Sequence, residues 1–171
     1  MTMKLSRQQK WDLRYLRLAQ EASTWSKDPS TKVGSVVVDR EGDVIAVTFN
    51  GLPRGVADSI ERLADRAVKY RMIEHAERNG MRVANKGGGD TVGATVYTYP
   101  LPPCAPCAAH LLQHGVSRIV SVTARPEDEA LVKRWQEDFS LANTMYQERN
   151  VELVLYFPEF LEMRDDFYPG D

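Results

Sequence analysis

The 171 residues contain only two cysteines, three positions apart in Pro102-Pro103-Cys104-Ala105-Pro106-Cys107, between segments of different local character. Residues 94–99 before them are β-rich. Residues 105–114 after them have helical spacing and run into Gly115, a residue type that ends helices in left-handed backbone, and residues 118–122 return to strand composition. The result is a strand-helix-strand unit with a short helix, and such a unit builds a sheet with helices laid on it. The cysteine pair is too close and too isolated for a secreted disulfide framework. It has a local purpose, and Cys-x-x-Cys spacing serves both zinc sites and dithiol redox sites.

The rest of the chain continues the alternation. In residues 7–25 the apolar positions Trp11, Tyr15, Leu18 and Ala22 recur at helical spacing, while Arg7, Lys10, Arg14 and Arg17 form a basic stripe, read as a solvated helix face able to meet phosphate or an acidic partner. The turn-rich Ser26-Lys27-Asp28-Pro29-Ser30 precedes two β-rich runs, 33–38 and 44–49, joined by Asp39-Arg40-Glu41-Gly42-Asp43 as a hairpin. Residues 56–72 have partial helical character with weak periodicity and receive no detailed assignment. Residues 74–84 read as a helix closed by Lys86-Gly87-Gly88-Gly89-Asp90, a longer helix runs from about 127 through 139 and on toward 148, and 151–156 make a last strand. Helices alternating with strands after an initial hairpin predict an α/β architecture, one mixed sheet covered by helices. No repeat or linker divides the chain, so residues 1–171 are expected to form a single domain.

Composition narrows the function. With 43% hydrophobic and 27% charged residues, one ordinary core suffices. No apolar run approaches the ~18 residues of a membrane span, and the start MTMKLSRQQK lacks a secretory apolar region, so a soluble, cytoplasmic protein without a membrane partner is expected. A net charge of -2 gives no general attraction to phosphate backbones, which favours small substrates over nucleic acid. The tail 157–171 is aromatic and acidic, and its Glu159, Glu162, Asp165 and Asp166 are expected to pack near basic surface such as the Arg7 to Arg17 stripe.

His75-Ala76-Glu77 means little alone, because a glutamate near a helix start can simply stabilise the dipole. Together with Pro-Cys-x-x-Cys opening a helix after a strand, it forms the signature of zinc deaminases that act on nucleobases. A catalytic zinc takes three protein ligands and leaves a fourth position to water, and His75, Cys104 and Cys107 supply three. Both ligand groups are expected at helix N-termini, where the dipoles favour thiolates. Glu77, two residues beyond His75, would stand beside the metal without binding it and carry protons from the water to the pyrimidine ring and the departing amino group. His114 reads as a complement to a helix C-terminus and His110 as a packing or surface residue.

From about Tyr15 to Tyr156 the sequence resembles the deoxycytidylate deaminase branch of the cytidine deaminase superfamily. The matching segments are Ser26-Lys27-Asp28-Pro29-Ser30, Val33-Gly34-Ser35-Val36-Val37, Phe49-Asn50-Gly51-Leu52-Pro53, His75-Ala76-Glu77-Arg78-Asn79 and Cys104-Ala105-Pro106-Cys107. The resemblance implies a three-layer cytidine-deaminase-like fold, a five-stranded mixed sheet with helices on both faces. It also implies Zn2+ between two helix starts, dCMP as the substrate, and a homo-oligomer, usually a hexamer. It assigns Asn50 to the sugar and Ser26 and Lys27 to the phosphate, and Lys27 independently suits a phosphomonoester as a point charge. The approach 98–103 to the first cysteine is one residue longer than usual, Glu74 puts a charge just before His75, and Thr48 replaces the glycine that commonly begins the Gly-Tyr-Asn-Gly segment. The last change predicts weakened control by dCTP and dTTP.

Other readings remain open at this level. The metal motif also serves deaminases acting on a modified dCMP, a riboflavin precursor or a nucleic-acid base. A dithiol oxidoreductase would explain Cys104 and Cys107 but not His75-x-Glu77. A purely structural zinc would want a fourth protein ligand.

Overall fold

The computed structural model describes residues 5–124 and 129–164. In chain order the elements are α1 (Arg7–Ser23), β1 (Gly34–Val38), β2 (Val44–Phe49), α2 (Ile60–Ala64), α3 (Arg66–Met72), α4 (Ala76–Lys86), β3 (Thr95–Tyr99), α5 (Ala105–Gln113), β4 (Arg118–Val122), α6 (Glu129–Glu148) and β5 (Glu152–Tyr156), followed by a 3-10 helix over Pro158–Glu162. The strands form one sheet in the order β2-β1-β3-β4-β5. β1 runs antiparallel to β2 and β3, whereas β3, β4 and β5 are parallel, so the mixed sheet expected from sequence is present.

Strand alternation sends side chains into two cores. Val36, Val38, Tyr97, Val120 and Val122 pack with Leu13, Leu16 and Ala19 of α1. Val37, Val96 and Ile119 face the other way, onto Met81 and Ala84 of α4, Ala108 and Leu111 of α5, and Tyr146 of α6. β1 is buried along its whole length, which is why Gly34-Ser35-Val36-Val37-Val38 reads as a nearly continuous apolar run.

α1 opens with a capping box: the Ser6 hydroxyl accepts from the Gln9 amide at 3.1 Å, and the Gln9 side chain accepts from the Ser6 amide at 2.9 Å. The face it buries differs from the Trp11, Tyr15, Leu18, Ala22 face expected from spacing. Leu13, Leu16, Ala19 and Ala22 are fully buried, while Trp11 is 40% exposed and stacks on Tyr15. Close approach of helix to sheet decides this. A Cβ at Gly34 would fall 1.9 Å from the Ala19 carbonyl oxygen, so only small residues fit where α1 crosses the start of β1.

The basic stripe is likewise divided. Lys10 is buried, and Arg17 donates to the carbonyls of Leu161 (2.9 Å) and Met163 (2.6 Å). The tail therefore reaches α1, through main-chain carbonyls and the buried Phe160 and Leu161, with Phe160 stacked 3.7 Å from the Tyr156 ring. Asp165 and Asp166 lie outside the described residues, as does the expected α6 start at 127.

Between α1 and the sheet lies a buried polar network. Asp12, with no solvent exposure, accepts from Arg118 Nη1 (2.7 Å) and Nη2 (2.9 Å), from the hydroxyls of Tyr97 (3.0 Å) and Tyr156 (2.9 Å), and from Gln8 (3.1 Å). Burial pushes its carboxyl pKa up, but the hydrogen bonds and charge of Arg118 outweigh burial and hold it below the usual value.

The segment 56–72 resolves into α2 and α3, capped by Ser59 and Asp65. Helices this short complete too few turns to show a period. Among the described residues, no helix is long and apolar enough to cross a membrane.

Candidate active site

α4 and α5 bring their N-termini together on the sheet face opposite α1. His75 is the N-cap of α4, Glu77 lies in its first turn, Cys104 is the N-cap of α5, and Cys107 lies one turn in. The segment before His75 is anchored by a two-way bridge, Gly51 amide to Glu74 carbonyl (3.1 Å) and Glu74 amide to Gly51 carbonyl (2.8 Å). Thr48 simply continues β2, and its hydroxyl donates to the Ala76 carbonyl at 2.8 Å, fixing the first turn of α4.

The His75 Nδ1 atom lies 3.5 Å from Cys104 Sγ and 3.3 Å from Cys107 Sγ. The three donor atoms all fall within 4.8 Å of one another, and among the described residues no fourth His, Cys, Asp or Glu joins them. One imidazole and two thiols converging at helix N-termini suit zinc, and three ligands rather than four suit an open, catalytic zinc. The hydrogen bond from Cys107 holds the Cys104 thiol down to about 5, and the same bond together with burial pushes Cys107 up. The bond to Cys104 raises His75 to about 9. A cation here would meet one sulfur, Cys104, already biased toward thiolate.

Glu77 is only 4% exposed. Burial pushes its carboxyl up, with the neighbouring His75 opposing. It lies in the first turn of α4, lines the same cleft as His75 and Cys104, and is not one of the clustered donors.

These groups open onto a cleft. Asp28, Asn50 and Lys69 line it together with His75, Glu77 and Cys104, and Tyr70, Leu101, Trp135 and Phe139 add apolar wall. Asn50 is present, though its side chain also serves the chain itself: Oδ1 accepts from the Val33 amide (2.8 Å) and Nδ2 donates to the Thr31 carbonyl (2.9 Å). Ser26 is buried behind the cleft, its hydroxyl donating to the Asn50 carbonyl at 2.9 Å. Lys27 points outward, 70% exposed, and pairs with Asp58 at 2.7 Å. Neither Ser26 nor Lys27 lines the cleft.

Sequence reasoning missed Lys69 and Asp28. Lys69 Nζ, almost fully buried, donates to Asp28 Oδ1 (2.9 Å) and Ser30 Oγ (2.8 Å). A lysine in a segment without clear period carried no signal of burial. Trp135 and Phe139, stacked with centroids 6.3 Å apart, reach the cleft from α6, far away in sequence. His110 and His114 pack against each other at 4.7 Å, and His114 is the C-cap of α5, in line with its expected place.

The model of the cytidine and deoxycytidylate deaminase zinc-binding region matches residues 9–123. An uncharacterized deaminase in the luxG 3′ region of Aliivibrio fischeri is 34% identical over 85% of this chain and 92% of its own. The deoxycytidylate deaminase of Mus musculus is 26% identical over 92% of this chain and 85% of its own. In fold, the chain is similar to the dCMP deaminase of cyanophage S-TIM5, solved with dCMP and dUMP, at a TM-score of 0.68 and 21% identity, covering 90% of this chain and all of that one.

Proposed function

Because the chain belongs to the cytidine and deoxycytidylate deaminase zinc-binding family, we propose that it binds zinc through His75, Cys104 and Cys107 and hydrolyses dCMP to dUMP and ammonia with Glu77 as proton carrier. The observation that carries this is the convergence of one imidazole and two thiols at two helix N-termini, with a buried, non-ligating carboxylate on the same cleft. Similarity to deoxycytidylate deaminases along most of the chain supports dCMP as the substrate. The dithiol reading loses support, because it leaves His75 against both sulfurs without a role.

His75, Cys104 and Cys107 would hold the zinc, which when bound would lower the pKa of a water toward neutrality and so supply the nucleophile. Glu77 takes a proton as the oxygen bonds to ring carbon C4 and delivers it to ring nitrogen N3. It then carries the second proton from that oxygen to the amino group, which leaves as ammonia as the C4 carbonyl forms. The carboxylate ends as it began. Burial suits this role, since a carboxyl pushed above its ordinary value takes up a proton more readily near neutral pH. Asn50, the residue after β2, lines the cleft and takes the sugar in this reading.

The same reading makes the protein a homo-oligomer, a hexamer in its usual form, acting on the cytoplasmic nucleotide pool. Its two free cysteines suit a reducing compartment. Sedimentation velocity reads the assembly directly. The test of function is ammonia release from the zinc-loaded protein across dCMP, deoxycytidine, CMP, dCTP and 5-methyl-dCMP. The expected result is a specificity constant highest for dCMP, and turnover confined to a different base would overturn the assignment.

A further inference from the structure

We infer that Lys69, held in place by Asp28, reads the 5′-phosphate of the substrate. This rests on the nucleotide reading of the cleft given above.

Lys69 differs from a surface lysine in almost every physical respect. It is 2% exposed, on a helix of only seven residues, and lines the cleft. Its ammonium donates to Asp28 Oδ1 at 2.9 Å and to Ser30 Oγ at 2.8 Å. Two of the three N–H groups of the ammonium are taken by these oxygens and the Tyr70 ring lies 5.4 Å from it, so a ligand in the cleft meets the third N–H beside that ring. Asp28 is itself fixed, its Oδ1 accepting from the amides of Ser30 (2.8 Å) and Thr31 (3.2 Å). The cation is thus held before any ligand arrives, and little side-chain freedom is left to lose on binding.

Charge points the same way. The titratable groups lining the cleft are Asp28, Glu77, Lys69, Tyr70 and the His75–Cys104 pair of the zinc site. Without Lys69 the lining of the cleft outside the zinc site would offer a phosphate dianion two carboxylates and no cation. Lys27, beside Asp28 in sequence, is 70% exposed and occupied by Asp58 at 2.7 Å. A buried ion pair gains little stability over apolar residues of the same volume, so stability alone is a weak reason for a lysine here. One ammonium already facing one carboxylate also suits a single phosphate better than a chain of three.

The test uses zinc-loaded protein and the product pair dUMP and deoxyuridine, which differ only in the phosphate and bind without turnover. Isothermal titration of the wild type should show dUMP binding more tightly. In Lys69→Gln the affinity for dUMP should fall about 10- to 100-fold, the scale of one hydrogen bond to a charged group, while deoxyuridine is unaffected. Asp28→Asn keeps an oxygen for the Ser30 and Thr31 amides but frees Lys69 of its countercharge, so dUMP affinity should hold or rise. If Lys69→Gln does not fold, the double variant Asp28→Asn with Lys69→Gln removes both charges together and should likewise lose the dUMP preference. A purely structural pair would make Lys69→Gln and Asp28→Asn weaken dUMP alike, and that result overturns the inference. So does a dUMP preference that survives removal of the ammonium. A wild type that does not distinguish dUMP from deoxyuridine would instead overturn the nucleotide reading as well.

Discussion

Replacing Asp12 with asparagine should strongly destabilise the protein while leaving its chemistry intact. The carboxylate has no solvent exposure and holds both Arg118 nitrogens and two tyrosine hydroxyls. Asparagine keeps the volume and one oxygen but presents an NH2 where the second oxygen was, so Arg118 and one tyrosine would face a donor. Removing one partner of a buried pair costs about 3–5 kcal/mol. Arg118 retains Glu152 at 2.7 Å, but that carboxylate is 63% exposed and offsets little. A loss of about 3 kcal/mol or more is therefore expected, a large part of the roughly 5–15 kcal/mol that a domain possesses. Urea unfolding of both proteins, loaded with zinc and at the same free zinc, measures it.

The pH dependence follows from the direction of the shift. Asp12 is depressed in the folded state, so its contribution is complete above its unfolded value and is lost as pH falls through the folded one. The gap between wild type and variant should stay constant from neutral pH down and close only below about 4. The specificity constant of the folded variant should match wild type, because the network lies across the sheet from the cysteines. A loss under about 1 kcal/mol, or a gap unchanged at strongly acid pH, would refute the reasoning.

Glu77→Gln should keep zinc and fold but lower kcat at least about 100-fold, the lower end for general acid-base catalysis; near-normal turnover would remove Glu77 from the mechanism. His75→Ala, Cys104→Ala and Cys107→Ala should each lower zinc content and activity together, as elemental analysis of the purified variants would show, and full zinc in all three would move the metal elsewhere. Asn50→Ala should raise KM for dCMP with zinc intact, by about 1–3 kcal/mol of lost binding, and an unchanged KM would confine Asn50 to holding Val33 and Thr31. Truncation after Phe157 should lower the melting temperature, since it removes the buried Phe160 and Leu161 and the carbonyls that Arg17 grips.

The metal-site constellation was legible in sequence because its parts are local. His75 and Glu77 are separated by one residue, Cys104 and Cys107 by two, and each pair stands at a helix start marked by nearby turn residues. The α/β class was legible for the same reason, since helical and strand periods succeed one another along the chain and β4 (Arg118–Val122) needs no information beyond its own residues. The buried face of α1 was not, because spacing offers Trp11-Tyr15-Leu18 and Leu13-Leu16-Ala19 as near equals. Only the close crossing at Gly34 chooses the smaller set.

The wall of the cleft outside the cysteine–histidine cluster depended wholly on tertiary structure. Ser26 and Lys27 stand next to Asp28 in sequence, yet Ser26 turns inward to Asn50, Lys27 outward to Asp58, and Asp28 toward Lys69, 41 residues away. Trp135 and Phe139 come from farther still. The sequence by itself determined which elements form and which residue types can hold a metal, because hydrogen bonding within a helix and alternation along a strand are short-range. Tertiary structure alone decided which charges are buried and paired, because burial is settled by segments that meet in space, and desolvation makes a lysine such as Lys69 depend on a partner the local sequence does not reveal.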